Sequence, residues 1–144
     1  MRTDKAFLVM MIASLAGGVV SHSASQAPAT RARTVHRVEL VGNRFLPRHL
    51  EIAVGDAVEF VNGAGGPHNA AFWQDSLPAG ARDPLSRALP DSIGPLIGPL
   101  LFESDQTWTV IFDGVPPGRY PYYCLPHVVG AMVGEIEVRG EKKP

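Results

Sequence analysis

Residues 120–134 read Tyr120-Pro121-Tyr122-Tyr123-Cys124-Leu125-Pro126-His127-Val128-Val129-Gly130-Ala131-Met132-Val133-Gly134. The only cysteine of the chain is followed by a histidine three residues on and a methionine five beyond that. The flanks are β-like: tyrosines and apolar alternation lead into Cys124, and Val133-Gly134-Glu135-Ile136-Glu137-Val138 follows Met132. One tight loop between two strands therefore gathers a thiolate, an imidazole and a thioether. Soft sulfur with imidazole favours copper, most characteristically as a trigonal Cys–His–His site with a weak axial Met. Cys124, His127 and Met132 supply all of that set except one imidazole.

That imidazole has to come from another part of the chain. Asn62-Gly63-Ala64-Gly65-Gly66-Pro67-His68-Asn69-Ala70-Ala71-Phe72-Trp73 is a glycine-rich loop running into an apolar segment through Pro-His. Glycine lets backbone approach closely, and proline fixes the entry to the strand. His68 then sits at a strand end, where a β-sandwich places its loops. Alone it reads as a polar loop residue; beside the Cys124 loop it becomes the third strong ligand. His36 and His49 have basic or polar neighbours and are expected to face solvent.

A lone cysteine cannot form an internal disulfide, and a free thiol in an oxidising compartment needs a task or burial. The compartment follows from the N-terminus. Arg2 and Lys5 precede an uncharged apolar run from Ala6 to Val20, then small residues from Ser21 to Ala29. This is the layout of a secretory signal over residues 1–28, and the run falls short of the roughly 20 residues of a membrane span. Export to a periplasmic or other extracytoplasmic space is expected, without stable membrane insertion after cleavage. Residues 29–34 read as a linker, 35–139 as one domain and 140–144 as a solvated tail. Of 13 basic and 14 acidic residues, removing Arg2, Lys5 and Asp4 leaves 11 and 13. So balanced a domain carries no nucleic-acid stripe and no polybasic membrane patch.

Short alternating segments predict an all-β fold. Three strands are expected between Thr34 and Asn62: Val35 to Val41, Leu50 to Val54 and Ala57 to Val61. Thr107 to Phe112, Arg119 to Cys124 and the stretch after Met132 add strong candidates, for seven or eight in total. A Greek-key β-sandwich follows from this spacing. Asp83 to Leu89 is the one short helix, with Asp83 expected as N-cap and Pro84 at its first position. Ile93 to Phe102 is apolar but too broken by Gly and Pro for a helix, and is expected to pack over one flank.

Taken together, Phe60-Val61-Asn62, Gly66-Pro67-His68-Asn69, Tyr123-Cys124-Leu125-Pro126-His127 and Gly130-Ala131-Met132-Val133-Gly134 resemble the plastocyanin and pseudoazurin branch of the cupredoxins. Asp75-Ser76-Leu77-Pro78-Ala79-Gly80 is also similar to the stretch after the first His in plastocyanin. The resemblance implies one type 1 copper ion held by His68, Cys124 and His127, with Met132 as weak axial ligand. It further implies that the backbone N–H of Asn69 points at the thiolate, that His127 is the exposed electron exit, and that Tyr123 marks a remote second route. Plant plastocyanins carry acidic residues after the first His, whereas Ala71-Phe72-Trp73-Gln74-Asp75 carries little charge. With the single short export signal, this argues against a thylakoid-lumen address and a photosynthetic partner.

A one-electron carrier is thus the leading expectation: a monomer that docks redox proteins transiently through the uncharged Leu125, Pro126, Val128, Val129 and Ala131 around His127. An envelope copper carrier or buffer without a redox role would use the same residues. An enzyme with Cys124 as nucleophile and His127 as base has no orienting carboxylate in view and leaves Met132 without a role.

Overall fold

The computed structural model describes residues 31–140, so the segments read as a leader and as most of the tail lie outside the described residues. Among the described residues, eight strands form two four-stranded sheets. The first contains β1 (Val35–Val41), β2 (Arg44–Leu46), β4 (Ala57–Asn62) and β6 (Thr107–Ile111), in the order β2-β1-β4-β6. The second contains β3 (His49–Ala53), β5 (Ala71–Phe72), β7 (Gly118–Tyr123) and β8 (Val133–Arg139), in the order β3-β8-β7-β5. Both sheets are mixed: β1 runs parallel to β4 and β3 parallel to β8, while the remaining pairs are antiparallel.

Alternation decides which side chains enter. Val38 and Leu40 of β1 and Ile136 and Val138 of β8 are buried, with exposed or half-buried neighbours between them. Tyr122 stands in the middle of the core, with ring centroids 4.6 Å from Phe45, 5.5 Å from Phe60 and 5.7 Å from Phe72. These rings come from both sheets and bind them face to face. Full burial of such a side chain stabilises by about 1.5–3 kcal/mol relative to exposure. Tyr120, one pair of residues earlier, donates its hydroxyl to the carbonyl of Pro116 and fixes the approach to β7.

Three expectations need correction. The Thr34–Asn62 region holds four strands, since Arg44–Leu46 pairs antiparallel with β1 across the Gly42-Asn43 turn. Only Phe45 of that strand faces inward, so three residues carried too little alternation to be read. The helix, α1 (Arg82–Ala88), begins two residues earlier than expected: Ala81 is its N-cap, and Asp83 lies in the first turn without capping it. The Ile93–Phe102 segment packs as expected, burying Leu96 and Leu101 while Ile93 and Phe102 stay exposed. Gly98 lies flat on Trp108, where a Cβ would come within 2.5 Å of the indole.

His36 also departs from expectation. Its Nε2 lies 3.0 Å from Oδ2 of Asp56, a buried carboxylate that also accepts from the backbone N–H of Ala53 at 3.0 Å and of Thr34 at 3.1 Å. Asp56 thereby joins the start of β1 to the β3–β4 turn, and its own carbonyl accepts from Phe112 N–H. Removing it leaves these part-buried donors without their acceptor. We expect Asp56→Ala to cost about 1–3 kcal/mol, read as a lowered denaturant midpoint at unchanged slope.

Candidate metal centre

Two chain segments converge at one end of the sandwich. His68 follows the glycine-rich loop and exchanges both backbone hydrogen bonds with Leu101, at 3.1 and 2.8 Å. The Ile93–Phe102 segment therefore does more than cover a flank, because it anchors the backbone of His68. The imidazole is completely buried, with Nε2 3.4 Å from the carbonyl oxygen of Ala64. Its Nδ1 faces the sulfur of Cys124 at 3.7 Å.

The second segment begins where β7 ends at Tyr123. Cys124 opens two successive 3₁₀ turns over Leu125–Gly130, closed by Ala131 in the left-handed region at φ 56°. The loop is pinned by its own backbone: His127 N–H donates to Cys124 O at 3.1 Å, Met132 N–H to His127 O at 3.3 Å, and Cys124 N–H to Met132 O at 3.0 Å. This folding brings Nδ1 of His127 to 3.4 Å from the same sulfur. The ring centroids of His68 and His127 are 4.7 Å apart. One donor atom each from His68, Cys124 and His127 lies within 4.8 Å of the other two, a grouping that could hold a metal ion. Met132 is fully buried at the exit of the loop, held in register with Cys124 by that backbone bond.

Burial favours the neutral forms of both the thiol and the imidazole. Burial pushes the Cys124 thiol up, while hydrogen bonds from the backbone N–H groups of Asn69 and His127 oppose that shift. Burial also holds the His68 imidazole below its usual range, with the Ala64 carbonyl opposing and the neighbouring His127 adding to the effect. In the metal-free chain the site thus favours a neutral imidazole beside a thiol. Binding a metal would displace the thiol proton.

The side chain of Asn69 is the part that sequence reasoning missed. Its Oδ1 accepts from Leu125 N–H at 2.8 Å and its Nδ2 donates to Gly98 O at 3.1 Å. One buried amide therefore ties the His68 segment to the Cys124 loop. The only available signal was an asparagine directly after the histidine.

Elsewhere, His49, Glu51 and Glu137 also lie within 4.8 Å of one another. His49 and Glu51 are exposed and Glu137 is half-buried, and Arg139 lies 2.6 Å from Glu51 and 3.7 Å from Glu137. The guanidinium holds the Glu51 carboxyl below its ordinary range. It reads as an ion-pair network on the outer sheet face. Tyr123 is half-buried beneath Trp73, at 4.1 Å between ring centroids, while Cys124 is buried.

A family model described as copper binding proteins of the plastocyanin/azurin family matches residues 35–139. The chain belongs to this family. Among similar proteins, a chloroplastic plastocyanin of Pisum sativum is 34% identical over 132 residues, 88% of this chain and 73% of that protein. A plastocyanin of Vicia faba is 35% identical over 97 residues, 67% of this chain and 89% of that protein. The solved oxidised plastocyanin of Dryopteris crassirhizoma superposes with a TM-score of 0.57 at 27% identity, over 72% of this chain and 99% of that one. Copper is accordingly the cofactor of this plastocyanin-like chain, and a buried thiol between two imidazoles is the donor chemistry that copper takes.

Because the pKa of His68 is lower in the folded domain, the unfolded chain takes up its proton first as the pH drops. Stability of the copper-free domain is full above the ordinary histidine value of 6.5 and is lost as pH falls through the lower folded value. A denaturation series between neutral and mildly acidic pH checks this, with His68→Gln expected to flatten the decline.

Proposed function

We propose that this domain is a small one-electron carrier cycling between Cu(I) and Cu(II), with His68, Cys124 and His127 as strong ligands and Met132 as the weak axial one. The observation that carries the reading is the pair of Nδ1 atoms aimed at one buried sulfur, 3.7 and 3.4 Å away. Copper supplies the electron-accepting orbital when bound. The chain supplies a fixed donor set acceptable to both oxidation states, so little reorganises as the electron moves. Rigidity comes from the two sheets, the loop's own backbone bonds and the Asn69 amide.

The surface around His127 supports transient docking. Leu125 is 42% exposed and Val129 99% exposed, with Pro126 and Ala131 also open and no charge between Leu125 and Ala131. A half-buried imidazole edged by small apolar groups suits a weak encounter of small area. The partners are redox proteins of unspecified identity, and the working form is a monomer. Tyr123, covered by Trp73, offers a second route on the sheet flank. Residues 1–28 serve as an export signal, and residues 35–139 work in an extracytoplasmic compartment.

The visible spectrum and voltammogram of the copper-loaded protein test this directly. An intense thiolate-to-copper band with reversible one-electron reduction is expected; a copper buffer without a redox role would show neither. Cys124→Ala should abolish colour and redox activity with the fold retained. Met132→Gln should keep the colour and lower the reduction potential, and an unchanged potential would exclude Met132 as axial ligand. Val129→Asp should slow electron exchange with a partner severalfold while leaving band and potential unchanged.

A further inference from the structure

The strand that the sequence concealed creates a turn at the metal end of the sandwich. Gly42 and Asn43 form the two-residue link from β1 to β2, with Gly42 at φ 57°, a position where hairpin turns favour glycine. This turn touches both ligand-bearing segments. On one side, Gly42 N–H donates to Ala64 O at 2.6 Å. That carbonyl is the one facing Nε2 of His68. The glycine loop lies so close that a Cβ on Gly65 would come within 2.8 Å of the Gly42 Cα and 2.9 Å of its nitrogen. A Cβ on Gly63 would meet Leu40 O at 2.9 Å, and Gly63 N–H donates to that oxygen at 2.8 Å.

On the other side, the exposed side chain of Asn43 lies against Gly130 of the Cys124–Met132 loop. A Cβ there would come within 2.7 Å of the Asn43 Nδ2. Gly130 precedes Ala131, the left-handed residue that turns the loop back toward Met132. The turn therefore abuts the loop at its point of reversal.

We propose that Gly42-Asn43 is a brace that sets the spacing between the two ligand segments, making Asn43 and Gly65 positioning residues for the copper site. The inference rests on the ligand assignment above. Groups that orient metal ligands from behind typically change metal affinity by about 10–100-fold when removed. The brace works from behind in this sense: Gly42 orients the acceptor of His68, and Asn43 limits how far the His127 loop can open.

Copper release to a chelator, the visible band and amide hydrogen exchange of the copper-free protein test the brace. Asn43→Ala is the mild variant, because the side chain is exposed. Gly65→Ala is the severe one, because its Cβ collides with backbone. Gly114→Ala is the control: Gly114 at φ 67° has, like Gly65 at φ 111°, a positive φ that favours glycine, but a Cβ there meets nothing within 4 Å. It therefore carries the same kind of backbone penalty without touching the brace.

Asn43→Ala and Gly65→Ala should release copper about tenfold faster, with a shifted visible band. In the copper-free protein, Gly65→Ala should accelerate exchange at the Gly42 amide. Asn43→Asp, which keeps the shape, should restore wild-type retention. Gly114→Ala should lower the denaturant midpoint yet keep band and retention. The proposal is overturned if Asn43→Ala matches wild type, or if Gly114→Ala reproduces the copper loss, which would trace it to global stability. Wild-type protein that gives no thiolate–copper band would overturn the ligand assignment itself, and the brace with it.

Discussion

Everything at the metal end depends on holding two imidazoles against one buried sulfur when the three side chains come from segments 56 residues apart. No local interaction can do this. The sandwich does it by ending β4 and β7 at the same end and then joining the loops beyond them. Asn69 is the central joint: its amide bonds the Leu125 nitrogen on one side and the Gly98 carbonyl on the other, and its backbone N–H reaches the sulfur. Such a buried, satisfied amide is stronger than a surface bond and costly to leave half-made. The copper site is thus a property of the whole sandwich, with the four side chains as its visible part.

The chemistry of the site was legible because it is written in residue types that few other arrangements would explain. A lone cysteine, a histidine three residues later and a methionine five further on have little other use together on one loop. The fold was legible for the same reason wherever strands were long: β1, β6 and β8 alternate clearly, and β4 is a mostly apolar run buried almost throughout. It failed at Arg44–Leu46, where one inward phenylalanine cannot establish a period. It failed also for His36, whose basic neighbour suggested solvent while a carboxylate 20 residues away held it. Capping of α1 was misread because Asp83 followed the usual preference, yet the chain enters the helix from Ala81.

What stayed hidden has a common physical character. The Asn69 amide, the Ala64 carbonyl and the Gly42-Asn43 turn act through backbone groups or through close approach, and neither leaves a pattern in side-chain polarity. Glycine is the nearest thing to a trace. Gly63, Gly65, Gly98 and Gly130 each mark a place where a neighbour occupies the volume a Cβ would need.

The pairing of β3 with β8 carries a consequence for how the molecule comes into being. β3 begins at residue 49 and its parallel neighbour spans 133–139, so a strand near the start of the domain waits for the last one to arrive. Contacts of such sequence separation are slow to close. A chain made N-terminus first would expose the edge of β3 until its final residues appear. Met132 lies immediately before those residues. The ion-binding pocket is therefore finished at the same moment as the sheet, and metal capture belongs to the end of biogenesis.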